Sequence, residues 1–160
     1  MSSPASVKKH PLHPMLVGLP IGLWVFALVC DTVAASGANG PWSSVALYSV
    51  AGGIVGAILA AVPGLIDYFS IDEAAMRRIA TFHLVVNVGA LIVFAVNLWS
   101  RFALPPTSVV PLLLSILGVV GLGVGGWRGG EMVYVKGMAV EAVDKLSKKV
   151  EEQPRLRRVS

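Results

Sequence analysis

Four long apolar stretches, 15–35, 44–69, 79–100 and 109–127, occupy more than half of the 160-residue chain and leave it few ways to fold. In hydrocarbon every backbone N–H and C=O must find a partner inside its own segment, so a span is a helix of about 20 residues or a strand of a closed barrel. The stretches are continuously apolar, which excludes the alternating pattern of barrel strands. Charged residues make up 14% of the chain, against about 25% in an ordinary soluble domain. The expected fold is all-α: an integral membrane four-helix bundle with the lipid bilayer as its first partner. Residues 1–14 form an N-terminal cytoplasmic segment, 15–137 the membrane domain, and 138–160 an amphipathic inner-leaflet helix with a basic tail.

The connections agree with that plan. Segment 36–41, Ser-Gly-Ala-Asn-Gly-Pro, is an uncharged turn, 71–78 is a short charged link, and Leu104-Pro105-Pro106-Thr107 closes the third span. A cleaved signal peptide is the rival reading of the first span, through Lys8-Lys9 and Val33-Ala34-Ala35. The apolar run is too long for it, and Asp31 stands just before the supposed cut. The net charge of +4 does not indicate nucleic acid, because the basic residues flank the spans. All of the 13 Lys and Arg residues except Arg101 fall on one side of the bundle. The positive-inside rule makes that side cytoplasmic, so both chain ends are expected inside, in the inner (cytoplasmic) membrane. Cys30 has no partner for an internal disulfide and reads as a small buried apolar residue.

Small residues recur at helical spacing in the second span (Gly52, Gly56, Ala60, Gly64) and the fourth (Gly118, Gly121, Gly125, Gly129). Such stripes let helix backbones approach closely. Pro20 and Pro63 loosen their helices and free carbonyls.

Polar residues gather on the cytoplasmic side. His10, His13 and His83 all fall there, with Asp67 and Glu131. Asp31 is the exception among the nine acidic residues. His83 lies one turn from Asn87 on the same face, and Asn97 continues that stripe. His10 and His13 sit in His-Pro-Leu-His-Pro, whose prolines stiffen the approach to the first helix. A faint repeat relates spans one and two to spans three and four. It makes His13 and His83 equivalent, and sets Asp67 against Glu131. Two such imidazoles could ligate haem iron or a metal, with His10 in reserve and Asp67, Glu131, Asn87 and Arg128 around them. The plain alternative is a histidine bonded to a carboxylate or a carbonyl. No phosphate loop, nucleotide fingerprint, Cys-X-X-Cys or marked nucleophile is present, so no catalytic residue is assigned.

Four blocks carry a family resemblance. They are His10 to Gly22 (HPLHPMLVGLPIG), Pro63 to Tyr68 (PGLIDY), the stretch from Arg77 through His83 and Asn87 to Arg101, and Gly126 to Tyr134 (GWRGGEMVY). Together they resemble an uncharacterised bacterial four-span membrane family, domain of unknown function 2231. The resemblance implies a bacterial inner-membrane protein. Relatives joined to Rieske-type iron–sulfur domains imply electron transfer, with a Rieske-type protein as redox partner and haem b as the cofactor to test. Two other readings stay open: a cofactor-free structural or assembly protein, and a proton or small-solute carrier using Asp67, His83 and Glu131, which would call for a homo-oligomer.

Overall fold

The computed structural model describes residues 3–8 and 10–135. The expected helix and basic tail at 138–160 lie outside the described residues. A two-stranded antiparallel hairpin, β1 (Ser6–Val7) with β2 (His10–Pro11), leads into a short helix α1 (Leu12–Leu16). Four longer helices follow: α2 (Gly18–Ala35), α3 (Trp42–Phe69), α4 (Ala74–Ala103) and α5 (Val110–Gly130). A π-helical turn, Glu131–Val135, continues α5. Helices α1 and α2 run together as one span, Leu12–Ala35, and all four spans are long and apolar enough to cross a membrane.

Apolar side chains cover the outside of the bundle. Val55, Ile58 and Val62 on α3, and Val85, Val88 and Ile92 on α4, are all exposed. In water such a continuous face would drive aggregation; in lipid it is the correct solvent.

The interior is built from small residues. Gly53, Gly56 and Gly64 of α3 lie against Trp24, Leu19 and His13 of the first span, while Gly118, Gly121, Gly125 and Gly129 of α5 lie against Phe94, Ala90, Asn87 and His83 of α4. Each stripe therefore seals one helical hairpin, α2 with α3 and α4 with α5. The core between the hairpins centres on Trp24, Ala27, Val50 and Phe94. The Trp24 and Phe94 rings stack with centroids 4.1 Å apart and planes 9° from parallel. Trp24 Nε1 donates to the Val50 carbonyl at 3.2 Å, which satisfies its one polar atom.

The link between spans two and three is shorter than expected. α4 begins at Ala74, so Arg77 and Arg78 are helical rather than part of a charged loop. A helix has no reason to stop where the bilayer does, and the Arg77 guanidinium stays tied to the chain by donating to the Ile71 carbonyl. Ile71 itself is buried with Met76, Ala80 and Met132 beneath this end of the bundle.

Candidate two-histidine site

The two hairpins repeat with a clear register. Asp31 and Arg101 are 70 residues apart, and the same separation relates Trp24 to Phe94 and His13 to His83. All three pairs meet between the hairpins. Gly53, Ala60 and Gly64 recur at one common offset as Gly118, Gly125 and Gly129. The expected repeat is present, with one correction. The glycine register sets Asp67 against Met132, not Glu131.

His13 and His83 occupy equivalent positions and make equivalent bonds. His13 Nδ1 lies 2.8 Å from the Ala60 carbonyl, in the turn before Pro63. His83 Nδ1 lies 2.9 Å from the Gly125 carbonyl, the position equivalent to Ala60. A carbonyl oxygen only accepts, so each Nδ1 carries its proton. In the neutral ring that leaves Nε2 as a bare lone pair. Among the described residues neither Nε2 takes part in a hydrogen bond. The ring centroids are 6.2 Å apart and the planes 86° from each other. Glycine makes this packing possible: a Cβ on Gly64 would stand 2.7 Å from His13 Nδ1, and one on Gly129 3.0 Å from His83 Cε1.

Asn87 sits where expected, one turn deeper. Its Nδ2 donates to the His83 carbonyl at 2.7 Å and approaches His83 Nδ1 at 3.3 Å. The two carboxylates do not orient the imidazoles, because backbone carbonyls already do. Asp67 instead accepts from Ser3 Oγ at 2.7 Å and from the Ala5 amide at 3.1 Å, pinning the N-terminal hairpin to α3. Glu131 pairs with Arg128 at 2.9 Å, one turn along the same helix, and Arg128 lies over the Phe82 ring, 5.2 Å from its centroid. His10 is exposed, its Nδ1 3.0 Å from the Lys8 carbonyl. No group of three or more His, Cys, Asp or Glu side chains converges among the described residues. Among the described residues, the two imidazoles by themselves supply only half of the ligands of a tetrahedral zinc site. His13 and His83 would be the residues to hold a haem iron, whose porphyrin supplies the other nitrogen ligands.

The far end of the bundle holds a polar network that sequence reasoning missed. Arg101 grips Asp31 with both terminal nitrogens, at 2.9 and 2.7 Å. Ser115 Oγ donates to Asp31 at 2.6 Å, Arg101 Nε to Asn97 Oδ1 at 2.8 Å, and Asn97 Nδ2 to Ser115 Oγ and the Pro111 carbonyl. Both charged side chains are nearly buried, at 7% and 6% exposure. Asn97 thus belongs to this network and not to the histidine face. A signal was available: Asp31 and Arg101 are the lone acidic and basic residues at that end, at equivalent repeat positions.

Compared with known proteins, the chain matches the family described as "Predicted membrane protein (DUF2231)" over residues 9–142. No curated protein and no solved structure matches it.

Proposed function

For this chain, which belongs to the DUF2231 family of predicted membrane proteins, we propose a non-catalytic electron-transfer module that carries a haem between His13 and His83. The observation behind this reading is the pair of equivalent imidazoles. Both are fixed through Nδ1 to a helix carbonyl, neither Nε2 is bonded among the described residues, and their ring centres are 6.2 Å apart. Haem iron would supply one-electron chemistry within the apolar interior. The chain's own part is to fix two nitrogen donors, hold their tautomer, and keep the surroundings tight through Gly64 and Gly129. Asn87 steadies His83 from the next turn, and Arg128 stands at the same end of the bundle.

On this reading the histidine end faces the cytoplasm of a bacterial cell and the bundle lies in its inner membrane, as the one-sided distribution of Lys and Arg favours. A Rieske-type iron–sulfur protein is the proposed redox partner. Purified from haem-replete cells, the protein should show a Soret band and iron near one per chain, and His83→Ala should abolish both. A colourless, metal-free preparation would sink the proposal.

A second reading has an observation of its own. Each imidazole already ties the two helices of its hairpin together, so the pair could be purely structural. His83→Ala would then lower thermal stability with no bound species lost. Nothing in the arrangement favours a carrier: Asp67 and Glu131 are engaged elsewhere, and neither is bonded to His83.

A further inference from the structure

The two histidines make equivalent bonds, but what precedes them in the chain differs. His83 stands well inside α4, with residues 74–82 already helical ahead of it. His13 is the second residue of α1, a helix of 5 residues whose N-cap, Pro11, gives no side-chain bond. A helix that short does not hold itself together alone, and its first amides need acceptors from outside. The preceding segment supplies one: the Leu12 amide donates to the Ala5 carbonyl at 3.0 Å. Ala5 is held in turn, because its own amide donates to Asp67 Oδ1 at 3.1 Å and Ser3 Oγ donates to the same oxygen at 2.7 Å. Ala5 is buried, at 8% exposure. The hairpin between Ala5 and Leu12 has strands of 2 residues each, and such a ribbon is at best marginal by itself. Its turn also holds Lys8 at a φ of 47°, an unfavourable value for a residue with a Cβ.

We propose that Asp67 positions His13, acting through Ala5 as a hydrogen-bond acceptor and not as a charge beside the ring. The route runs from the Asp67 carboxylate to Ala5, from Ala5 to Leu12, and from Leu12 to the neighbouring His13, whose Nδ1 then meets the Ala60 carbonyl. Gly64, which makes room for that ring, lies one turn before Asp67 on α3, so one stretch of helix both admits the imidazole and anchors its approach. The second hairpin has no need of the device. There the counterpart of Asp67 is Met132, a side chain without a strong acceptor, which is buried against Ile71, Met76 and Ala80. The inference rests on how His13 is held and not on what the pair binds, so it and the haem reading fail independently.

The test uses the full chain in detergent, isotope-labelled at the ring nitrogens of its three histidines, with magnetic resonance following exchange of each Nδ1 proton with water. Asp67→Ala should speed exchange at His13 about ten-fold, the scale of one lost hydrogen bond, and leave His83 as it was. Asp67→Asn should recover most of the protection, because an amide oxygen accepts the same two protons. Ser3→Ala removes one of the two bonds and touches no span, so it reads the link even where Asp67→Ala unfolds the chain; it should speed His13 about three-fold. Unchanged exchange at His13 in Ser3→Ala or in Asp67→Ala would overturn the proposal. So would equal acceleration at His13 and His83, the mark of a general loosening. Exchange as fast in Asp67→Asn as in Asp67→Ala would overturn the acceptor role in favour of the charge.

Discussion

The protonation of two ring nitrogens decides what His13 and His83 can do. A helix carbonyl opposite each Nδ1 keeps the proton there, so in the neutral ring each Nε2 offers an electron pair rather than a proton. The glycines that admit the rings are as much a part of the site as the rings. Gly64→Ala places a methyl group 2.7 Å from His13 Nδ1, so the imidazole must swing away from the Ala60 carbonyl. Losing such a bond costs about 1–3 kcal/mol, whereas alanine's helix propensity returns about 1 kcal/mol. Thermal unfolding in detergent should therefore show a net loss for Gly64→Ala. Gly123→Ala, with open space around its Cβ, should be neutral or stabilising. Equal behaviour of the two variants would mean that His13 is not held as described. The histidines and Asn87 were legible from the chain because ionisable and amide side chains at bilayer depth are expensive and so conspicuous. Their true partners were not, since a backbone carbonyl leaves no mark in a sequence, and Asp67 and Glu131 looked like the obvious candidates.

Among the elements, helix identity was the most legible feature, because an apolar run of span length has one solution in lipid. Helix ends were less so. The start of α4 at Ala74 falls within the charged stretch 71–78, where hydropathy carries no information. Pairing within each hairpin followed from the small-residue stripes, while pairing between hairpins rests on Trp24 against Phe94 and Asp31 against Arg101. The ion pair is bidentate, nearly buried and fully partnered through Asn97 and Ser115, so removing one member strands a charge. Arg101→Ala should cost about 3–5 kcal/mol. Combining Asp31→Asn with Arg101→Gln should cost clearly less than the sum of the single variants, because no unpaired charge remains. Chemical unfolding of all four proteins in one detergent checks this. Additive losses would show that the two side chains act separately.

At the scale of the molecule, two similar hairpins enclose an axis with an imidazole pair near one end, an aromatic stack between, and an ion pair near the other. The repeat was faint in the sequence because few residues are identical between the halves, His13 with His83 and Gly53, Gly56 and Gly64 with Gly118, Gly121 and Gly129 among them, and the first and second helices of the hairpins follow different offsets. Its consequence for topology is direct. Segments 36–41 and 104–109 lie at the Asp31–Arg101 end, and 70–73 lies with the histidines. In a Cys30→Ala background, cysteines introduced by Asn39→Cys and Ser108→Cys should label from the same side of the membrane, and Asp72→Cys from the opposite one. Labelling of Asn39→Cys and Asp72→Cys from one compartment would dismantle the four-span arrangement.

The equivalence of His13 and His83 is tested most directly by electron paramagnetic resonance on the oxidised protein, recorded for the wild type, His13→Ala and His83→Ala. If the pair carries a haem as proposed, the wild type should show a single low-spin iron with two imidazole ligands, and each substitution alone should remove that signal. A spectrum without iron, or one that survives the loss of either histidine, would contradict the account.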